Sequence, residues 1–371
     1  MIKICFLISS LCNEGPVNVM YNIIRYIDFS KFEVSIITFI PEKKTTRIED
    51  FKRFPIQIHQ LYPNSTTNPI SLFFSLKKKI KEIDPDMLHA HCPRSLYLMC
   101  FLPHKYKRIY TIHIYPGLQQ KILYGNFKGD LVISLNHFFT KKTDLPIGCA
   151  ESIGDLYKNN KNWDILSIPN GSSLPTWTGS RMEKQQLRKK IALKDDLLYF
   201  IFIGRFSTEK NPSTLINVFK KLSDKNIGLI MLGDGPLWEQ LKHEENDKIK
   251  LPGFKSNVYD YLIASDYYIS ASDVEGLANT LLESMTVGLP MLLSDIPSHR
   301  EVLSKMNATV GYIFNNRDEV DLYNKILQII EHVNRDIAAT EIKKVFKKQY
   351  TAQTMSESYQ TAYKNLLLKQ I

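Results

Sequence analysis

DYYISASDVEGLANTLLESMTVGLPMLLSD, residues 266–295, decides the fold. The stretch reads as a strand (DYYISAS), a loop (DVEG), a helix (ANTLLESMTVG) and a second strand (PMLLSD), which is half of a doubly wound α/β domain. Ligands in such sheets bind outside the carboxyl ends of the strands. Gly276 lets the backbone come close to a ligand there. The peptide N–H groups of Leu277, Ala278, Asn279 and Thr280 are the orphan donors of the helix start, so an anion is expected against them. Glu275 and Glu283 do not attract an anion and suit sugar hydroxyls on either side of it. Helical side chains tilt toward the N-terminus, so Glu283 leans back to the same ligand. The plainer alternative is that Glu275 favours the helix dipole and Glu283 is a solvated face.

A second phosphate-seeking group lies upstream. The strand LLYFIFIG (197–204) runs into Arg205-Phe206-Ser207-Thr208-Glu209-Lys210, and Asn211-Pro212 then opens a helix, with Asn as its cap and Pro at its first position. Arg205 and Lys210 therefore sit on a strand-to-helix loop at the carboxyl edge of the sheet. Two cations there can clamp a diphosphate, Arg as a planar fork and Lys as a point charge. A solvated loop whose charges Glu209 cancels is the competing account.

GRFSTEKN, LGDGP, LPGF and SDVEGLANTLLESMTVGLP, in this order, resemble the carboxyl-terminal domain of glycosyltransferase family 4, retaining enzymes of the GT-B fold. The matching motifs cover roughly 197–303, and weaker agreement extends the resemblance over nearly the whole chain. It implies an α/β protein of two Rossmann-like doubly wound domains facing across a cleft. By the same resemblance Arg205 and Lys210 hold the donor diphosphate, Glu283 the ribose hydroxyls, Glu275 the donor sugar, and the backbone near Gly253 and Phe254 the base.

Length and composition agree with two domains. At 371 residues the chain exceeds one ordinary core, and 44% apolar residues is usual for a globular protein. No apolar run of about 18 residues is present, so no spanning helix is expected. MIKICFLISSL has a lysine before a short apolar run, as signal peptides do, but reads better as a buried first strand leading to Asn13-Glu14-Gly15 and an amphipathic helix. Five cysteines (Cys5, Cys12, Cys92, Cys100, Cys149), odd in number and without a CxxC pair, suggest reduced cytosolic thiols.

Charge is uneven. Residues 1–170 hold 22 Lys+Arg against 14 Asp+Glu, while 171–371 hold 26 against 24, so nearly all of the formal +10 belongs to the first half. SLFFSLKKKIKEI (71–83) places Leu72, Phe73, Leu76, Ile80 and Ile83 at helical spacing beside Lys77, Lys78, Lys79 and Lys81, and PHKYKRIY (103–110) adds a basic-aromatic patch. Such a helix either lies on an anionic membrane surface or packs with a lysine-rich face in water. The resemblance favours the membrane, because many family members use lipid-linked acceptors. No nucleic-acid-binding module is recognisable.

In the first half, strands are expected at 2–8, 32–39, 56–61, 87–91, 108–113, 130–135 and 164–168, mostly continuous apolar runs suited to a buried parallel sheet. The family usually carries two glycines in the first strand-to-helix loop. Only Gly15 stands here, expected near the cleft. His89, His91 and Cys92 at the end of MLHAH suggest a metal site, but no carboxylate or further histidine completes a tetrahedral set. His113, closing RIYTIH, matches the family position that reaches the donor sugar or the transition state; a core histidine bonded to a backbone carbonyl is the alternative. The domains are expected at 1–170 and 186–353 with a linker at 171–185, rich in Gly, Ser, Thr and Pro, before a charged helix near Arg181. Strands at 227–233, 249–252, 266–272, 290–295 and 308–314 complete the second domain, and a terminal helix at about 354–371 resembles the one that packs back on the first.

No Asp-x-Asp motif is found for holding a divalent metal on a diphosphate, so Arg205, Lys210 and the helix start near Ala278 are expected to neutralise the leaving group without metal. His113 and Glu275 are the candidate catalytic residues, with Glu275 orienting the sugar and not serving as nucleophile. The Asn279 variant of the loop and the composition rich in Lys, Ile, Asn and Tyr resemble bacterial O-antigen and capsule enzymes. They imply transfer of a hexose or N-acetylhexosamine from a UDP-sugar to a lipid-linked saccharide at the cytoplasmic face of the membrane. A nucleotide-sugar 2-epimerase and a non-catalytic sugar-binding protein share this architecture. A nicotinamide dehydrogenase does not fit, since no GxGxxG follows the first strand.

Overall fold

The structure is a computed structural model that describes residues 1–61, 68–175 and 180–368. The chain divides into two compact units, Met1–Gly171 together with the helix Ala352–Leu368, and Ser172–Thr351. Residues 176–179 of the expected linker and 369–371 of the expected terminal helix lie outside the described residues.

The first unit is a parallel seven-stranded sheet: β1 (Ile2–Ile8), β2 (Phe32–Thr38), β3 (Gln57–Gln60), β4 (Met87–Ala90), β5 (Lys107–Ile112), β6 (Leu145–Gly148) and β7 (Leu166–Ser167), in the order β3-β2-β1-β4-β5-β6-β7. Ile2–Ile8 is the interior strand β1, in register with Phe32–Thr38 on one side and Met87–Ala90 on the other. Its near-continuous apolar run suits a strand covered on both faces. Phe6, Ile36 and Met87 form the core with Met355, Tyr359 and Tyr363 of the helix Ala352–Leu368. The Ser356 hydroxyl donates to the Ile23 carbonyl at 2.7 Å and the Gln360 amide to that of Tyr26 at 3.0 Å, so this distant piece of chain is part of the first unit. At about 1.5–3 kcal/mol for each fully buried large apolar side chain, its aromatic face is a substantial share of that core.

One expected strand is corrected. Residues 130–135 belong to the helix Asn126–Thr140, and the sheet position is taken by Leu145–Gly148, where Pro146 interrupts a four-residue run and hides it from strand signals. In DLVISL, Leu131 and Leu135 are exposed and Val132 and Ile133 half-buried. Gly129, Asn136 and Thr140 are the buried residues of this helix.

The second unit is a parallel six-stranded sheet: β8 (Leu198–Ile203), β9 (Ile227–Leu232), β10 (Ile249–Gly253), β11 (Tyr267–Ser270), β12 (Met291–Ser294) and β13 (Gly311–Phe314), in the order β10-β9-β8-β11-β12-β13. Successive strands move to one side from β8 to β10, and the chain then returns to the other side of β8 with β11. The topological switch point lies between β8 and β11, where open α/β sheets bind ligands. The stretch 266–295 folds as read, with the helix Asn279–Val287 closed by Gly288 at φ +84°. Asn211 precedes the helix Pro212–Lys221 but not as the expected cap: its φ is +50°, its side chain accepts from no helix N–H, and its Oδ1 takes the Thr214 hydroxyl at 3.0 Å.

Candidate functional site

Four loops meet at the carboxyl edge of the second sheet. The loop after β8 holds Arg205 to Lys210, and LGDGP after β9 is stitched to it: the Phe206 N–H donates to the Asp234 carbonyl at 2.9 Å, and the Leu237 N–H to the Phe206 carbonyl at 2.9 Å. Side chains are excluded there. A Cβ on Gly233 would stand 1.8 Å from the Gly204 carbonyl oxygen, and one on Gly235 would stand 2.6 Å from that of Phe206. The Gly233 N–H donates to the Gly253 carbonyl at 3.1 Å, which brings in LPGF, with Gly253 at φ +76° beside Trp238 and Phe254 half exposed. Across the switch point, the Asp273 N–H donates to the Glu209 carbonyl at 2.8 Å and ties the β8 loop to the β11 loop.

The central contact joins residues 65 apart in sequence: the Lys210 ammonium donates to Glu275 Oε1, which also accepts the Ser272 hydroxyl at 2.8 Å. Glu275 Oε2 has no hydrogen-bond partner among the described residues. Burial works against the Glu275 charge, but the Lys210 ammonium and the Ser272 hydroxyl outweigh it and hold the carboxyl below its usual range. Glu209 does not cancel the loop's charges; its carboxylate takes the Ser207 hydroxyl at 2.6 Å and is buried. Arg205 is exposed, and among the described residues its guanidinium has no ion-pair partner. Glu283 sits in the first turns of the helix Asn279–Val287. Burial raises the Tyr268 pKa, and the charges of Glu275 and Glu283 both add to that rise, so the two carboxylates bear on one tyrosine. That tyrosine's hydroxyl lies 3.0 Å from Thr280 Oγ1, at the helix start. Ala278 caps this helix without a side-chain acceptor.

Two participants escaped the sequence reading. Ser272 is a common residue with no distinguishing spacing. His299 follows β12 at the start of the helix Pro297–Ser304 and is almost wholly buried. Its Nδ1 lies 2.9 Å from the Ser294 carbonyl, which can only accept, so Nδ1 carries the proton and Nε2 keeps its lone pair, buried and without a partner. Burial lowers its pKa to about 4, and it feels the charges of both Glu275 and Lys210.

The remaining candidates belong to the first unit. Gly15 opens the helix Gly15–Arg25 after β1. His113 is the first residue past β5, with its Nε2 3.2 Å from His91 Nδ1; burial lowers its pKa to about 3, so it is neutral at neutral pH. His89 is held between the Tyr363 and Thr111 hydroxyls, each at 2.8 Å, and His91 Nε2 is unpartnered and buried. Among the described residues no group of three His, Cys, Asp or Glu is arranged to hold a metal ion, and none of the five cysteines is in a disulfide.

Two parallel doubly wound units in one chain are those of the GT-B fold. Residues 14–174 match the family model Glycosyltransferase Family 4, and residues 183–346 match Glycosyl transferases group 1. The chain belongs to glycosyltransferase family 4. It is 25% identical over 379 residues to the O-antigen biosynthesis glycosyltransferase WclY of Escherichia coli, covering 98% of each chain. To the alpha-monoglucosyldiacylglycerol synthase of Acholeplasma laidlawii it is 24% identical over 389 residues, covering 96% of this chain and 94% of that one. The crystal structure of Anabaena HepE in complex with UDP and glucose matches it with a TM-score of 0.79 at 16% identity, over 98% of this chain and 100% of that one.

Proposed function

We propose that this glycosyltransferase moves a hexose or N-acetylhexosamine, with retention of configuration, from a UDP-sugar to a lipid-linked saccharide in bacterial surface-polysaccharide synthesis. The observation that carries this reading is the Lys210–Glu275 pair at the switch point, with Lys210 on the same loop as an exposed Arg205, a loop that glycine-only backbone crossings hold against its neighbours. Arg205, Lys210 and the start of the helix Asn279–Val287 neutralise the leaving diphosphate, and in this reading no metal is needed. Glu275 Oε2 and Glu283 accept hydroxyls of the sugar and the ribose. The bond from the anomeric carbon to the phosphate oxygen breaks, the acceptor hydroxyl bonds to that carbon from the same face, and its proton passes to an oxygen of the departing UDP. The neutral His113 donates a hydrogen bond to the sugar. The printed names of two relatives support the acceptor class, one an O-antigen enzyme and the other a diacylglycerol glycolipid synthase; UDP in the HepE crystal supports the donor.

Thermal denaturation against a panel of nucleotide sugars tests the donor. A ligand at about a hundred times its Kd stabilises the folded state by about 2.7 kcal/mol, so one UDP-sugar should raise the midpoint while GDP- and dTDP-sugars leave it unchanged. No response to any UDP-sugar would overturn the reading. Transfer to a prenyl-diphosphate saccharide, with the new anomeric centre read by NMR, separates retention from inversion and transfer from epimerisation.

A further inference from the structure

The helix Asn126–Thr140 is turned inside out. Its buried residues are Gly129, Asn136 and Thr140, whereas Phe127 is 87% exposed, Leu131 57% and Phe138 54%, with Leu135 exposed beside them. At 100° per residue those four apolar side chains fall within about 80° of arc, so they form one stripe. The inner face is specified and not accidental. Asn136 Oδ1 accepts the Tyr97 hydroxyl at 2.6 Å, and a Cβ on Gly129 would stand 2.9 Å from Cα of Lys121 in the helix Leu118–Tyr124, so only glycine allows that crossing. Leu118, Leu123 and Tyr124 of that helix are exposed as well.

The stripe continues onto neighbouring elements. Ring centroids run from Phe138 to Phe139 (5.2 Å), to Phe101 (5.6 Å), to Phe73 (6.4 Å) and to Phe74 (5.8 Å), ending on the helix Pro69–Ile83, where Ile70 and Phe74 are exposed beside Lys77, Lys78 and Lys81. Between residues 118 and 142 the cations are Lys121, Lys128, Lys141 and Lys142. The one carboxylate in that span, Asp130, is paired with Lys121 at 3.0 Å. A continuous apolar ridge with unneutralised lysines along its border fits hydrocarbon beneath anionic headgroups. It does not fit a second copy of itself, because two such faces would set lysine against lysine.

We infer that this ridge, from Phe74 through Phe101 to Phe127, enters the outer hydrocarbon layer of an anionic lipid bilayer and seats the first unit on the membrane. The inference deepens the proposed function and rests on its lipid-linked acceptor for a purpose. The experiment leaves donor and acceptor out, so that the two readings fail separately.

The full chain is floated with vesicles of equal parts phosphatidylglycerol and phosphatidylcholine, and with phosphatidylcholine alone. Wild type should float with the anionic vesicles. Phe127→Ser combined with Leu131→Ser should weaken partitioning about tenfold or more on them, since two large apolar contacts with lipid are lost. Lys128→Glu combined with Lys142→Glu should weaken it on anionic vesicles alone. All four side chains are exposed, so the circular dichroism and thermal midpoint of both variants should match wild type. The inference is overturned if wild type stays in the soluble fraction, or if the apolar variant floats as wild type does. It is equally overturned if light scattering shows a wild-type dimer that the apolar variant turns into a monomer.

Discussion

At each end of β11 a carboxylate is buried against basic side chains, Asp266 just before the strand and Glu275 in the loop after it. Asp266 accepts from Lys184 at 2.8 Å, Arg188 at 2.6 Å, Arg335 at 2.7 Å and the Tyr199 N–H at 2.8 Å, two donors on each oxygen. Arg188 spends its other donors on the carbonyls of Ala264, Asp195 and Leu197. Neither Asp266 oxygen is left without donors, and the cluster ties the helices Arg181–Lys190 and Arg335–Gln349 to the strand edge. At the other end Glu275 engages one lysine and one hydroxyl through a single oxygen, next to a buried His299 Nε2 with no partner. Burial opposes both charges and the neighbouring cations prevail in both, so the two pKa values move down together. Electrostatics alone does not tell them apart. Satisfaction does: a saturated buried charge holds the fold, and one with a spare acceptor beside an orphaned ring nitrogen is arranged to hold something else.

Breaking each end should therefore damage a different property. Asp266→Ala leaves Arg188 buried without its counter-charge, and removing one partner of a buried pair costs about 3–5 kcal/mol. Urea unfolding should show that loss, while activity per folded molecule stays near wild type. If Asp266→Ala instead removed activity at unchanged stability, the comparison would be inverted. Glu275→Gln and Lys210→Ala should each lower kcat/KM for transfer by more than about 2 kcal/mol of transition-state stabilisation, since charge-assisted contacts are lost, with far smaller shifts in unfolding midpoint. Wild-type rates in both variants would sink the assignment of this site.

Why the Glu275 end could be read from sequence and the Asp266 end could not follows from how each is built. Strand, glycine loop, helix and the glutamate spacing lie within thirty consecutive residues of β11 and its flanks, and Arg205 and Lys210 lie in one loop, so local patterning exposes them. Asp266 draws its partners from helices far along the chain on either side, and no spacing advertises them. His299 is invisible for the same reason, since it reaches the site because β12 lies beside β11, whereas Ser272 is local to Glu275 and is hidden only by being a common residue. The pattern within the helix Asn126–Thr140 reads as strand for a different cause. A run such as DLVISL is assigned to the interior on the premise that apolar residues are buried, and here the fold breaks that premise while Asn136 and Thr140 go inside. In the helix Pro69–Ile83 the packed reading of its pattern holds for Leu72, Leu76 and Ile80, which face inward, while Phe74 is left outside.

The smallest effect sharpens the comparison by titration. Both carboxylates have lowered pKa values, so their contribution is present above the ordinary carboxyl range and is lost only as pH falls through the lower folded values. His299 behaves oppositely in timing. Its folded pKa is near 4 against 6.5 unfolded, so below about pH 6.5 the unfolded chain takes a proton that the folded chain refuses. Stability at the Glu275 end should then decline from pH 6.5 toward 4, before either carboxylate responds, at about 1.4 kcal/mol per pH unit for one proton. The groups facing His299 are Glu275, Lys210 and Ser294, and only its own ring titrates in that window. His299→Gln should remove this one-proton slope relative to wild type, leaving the background slope from His59, His89, His91, His113 and His137, whose pKa values burial also lowers. Urea unfolding at half-unit steps from pH 7 to 4.5 measures the difference between the two proteins. Parallel curves would mean that His299 is already charged, with its Nε2 proton donated, and the spare acceptor at that end of β11 would no longer exist.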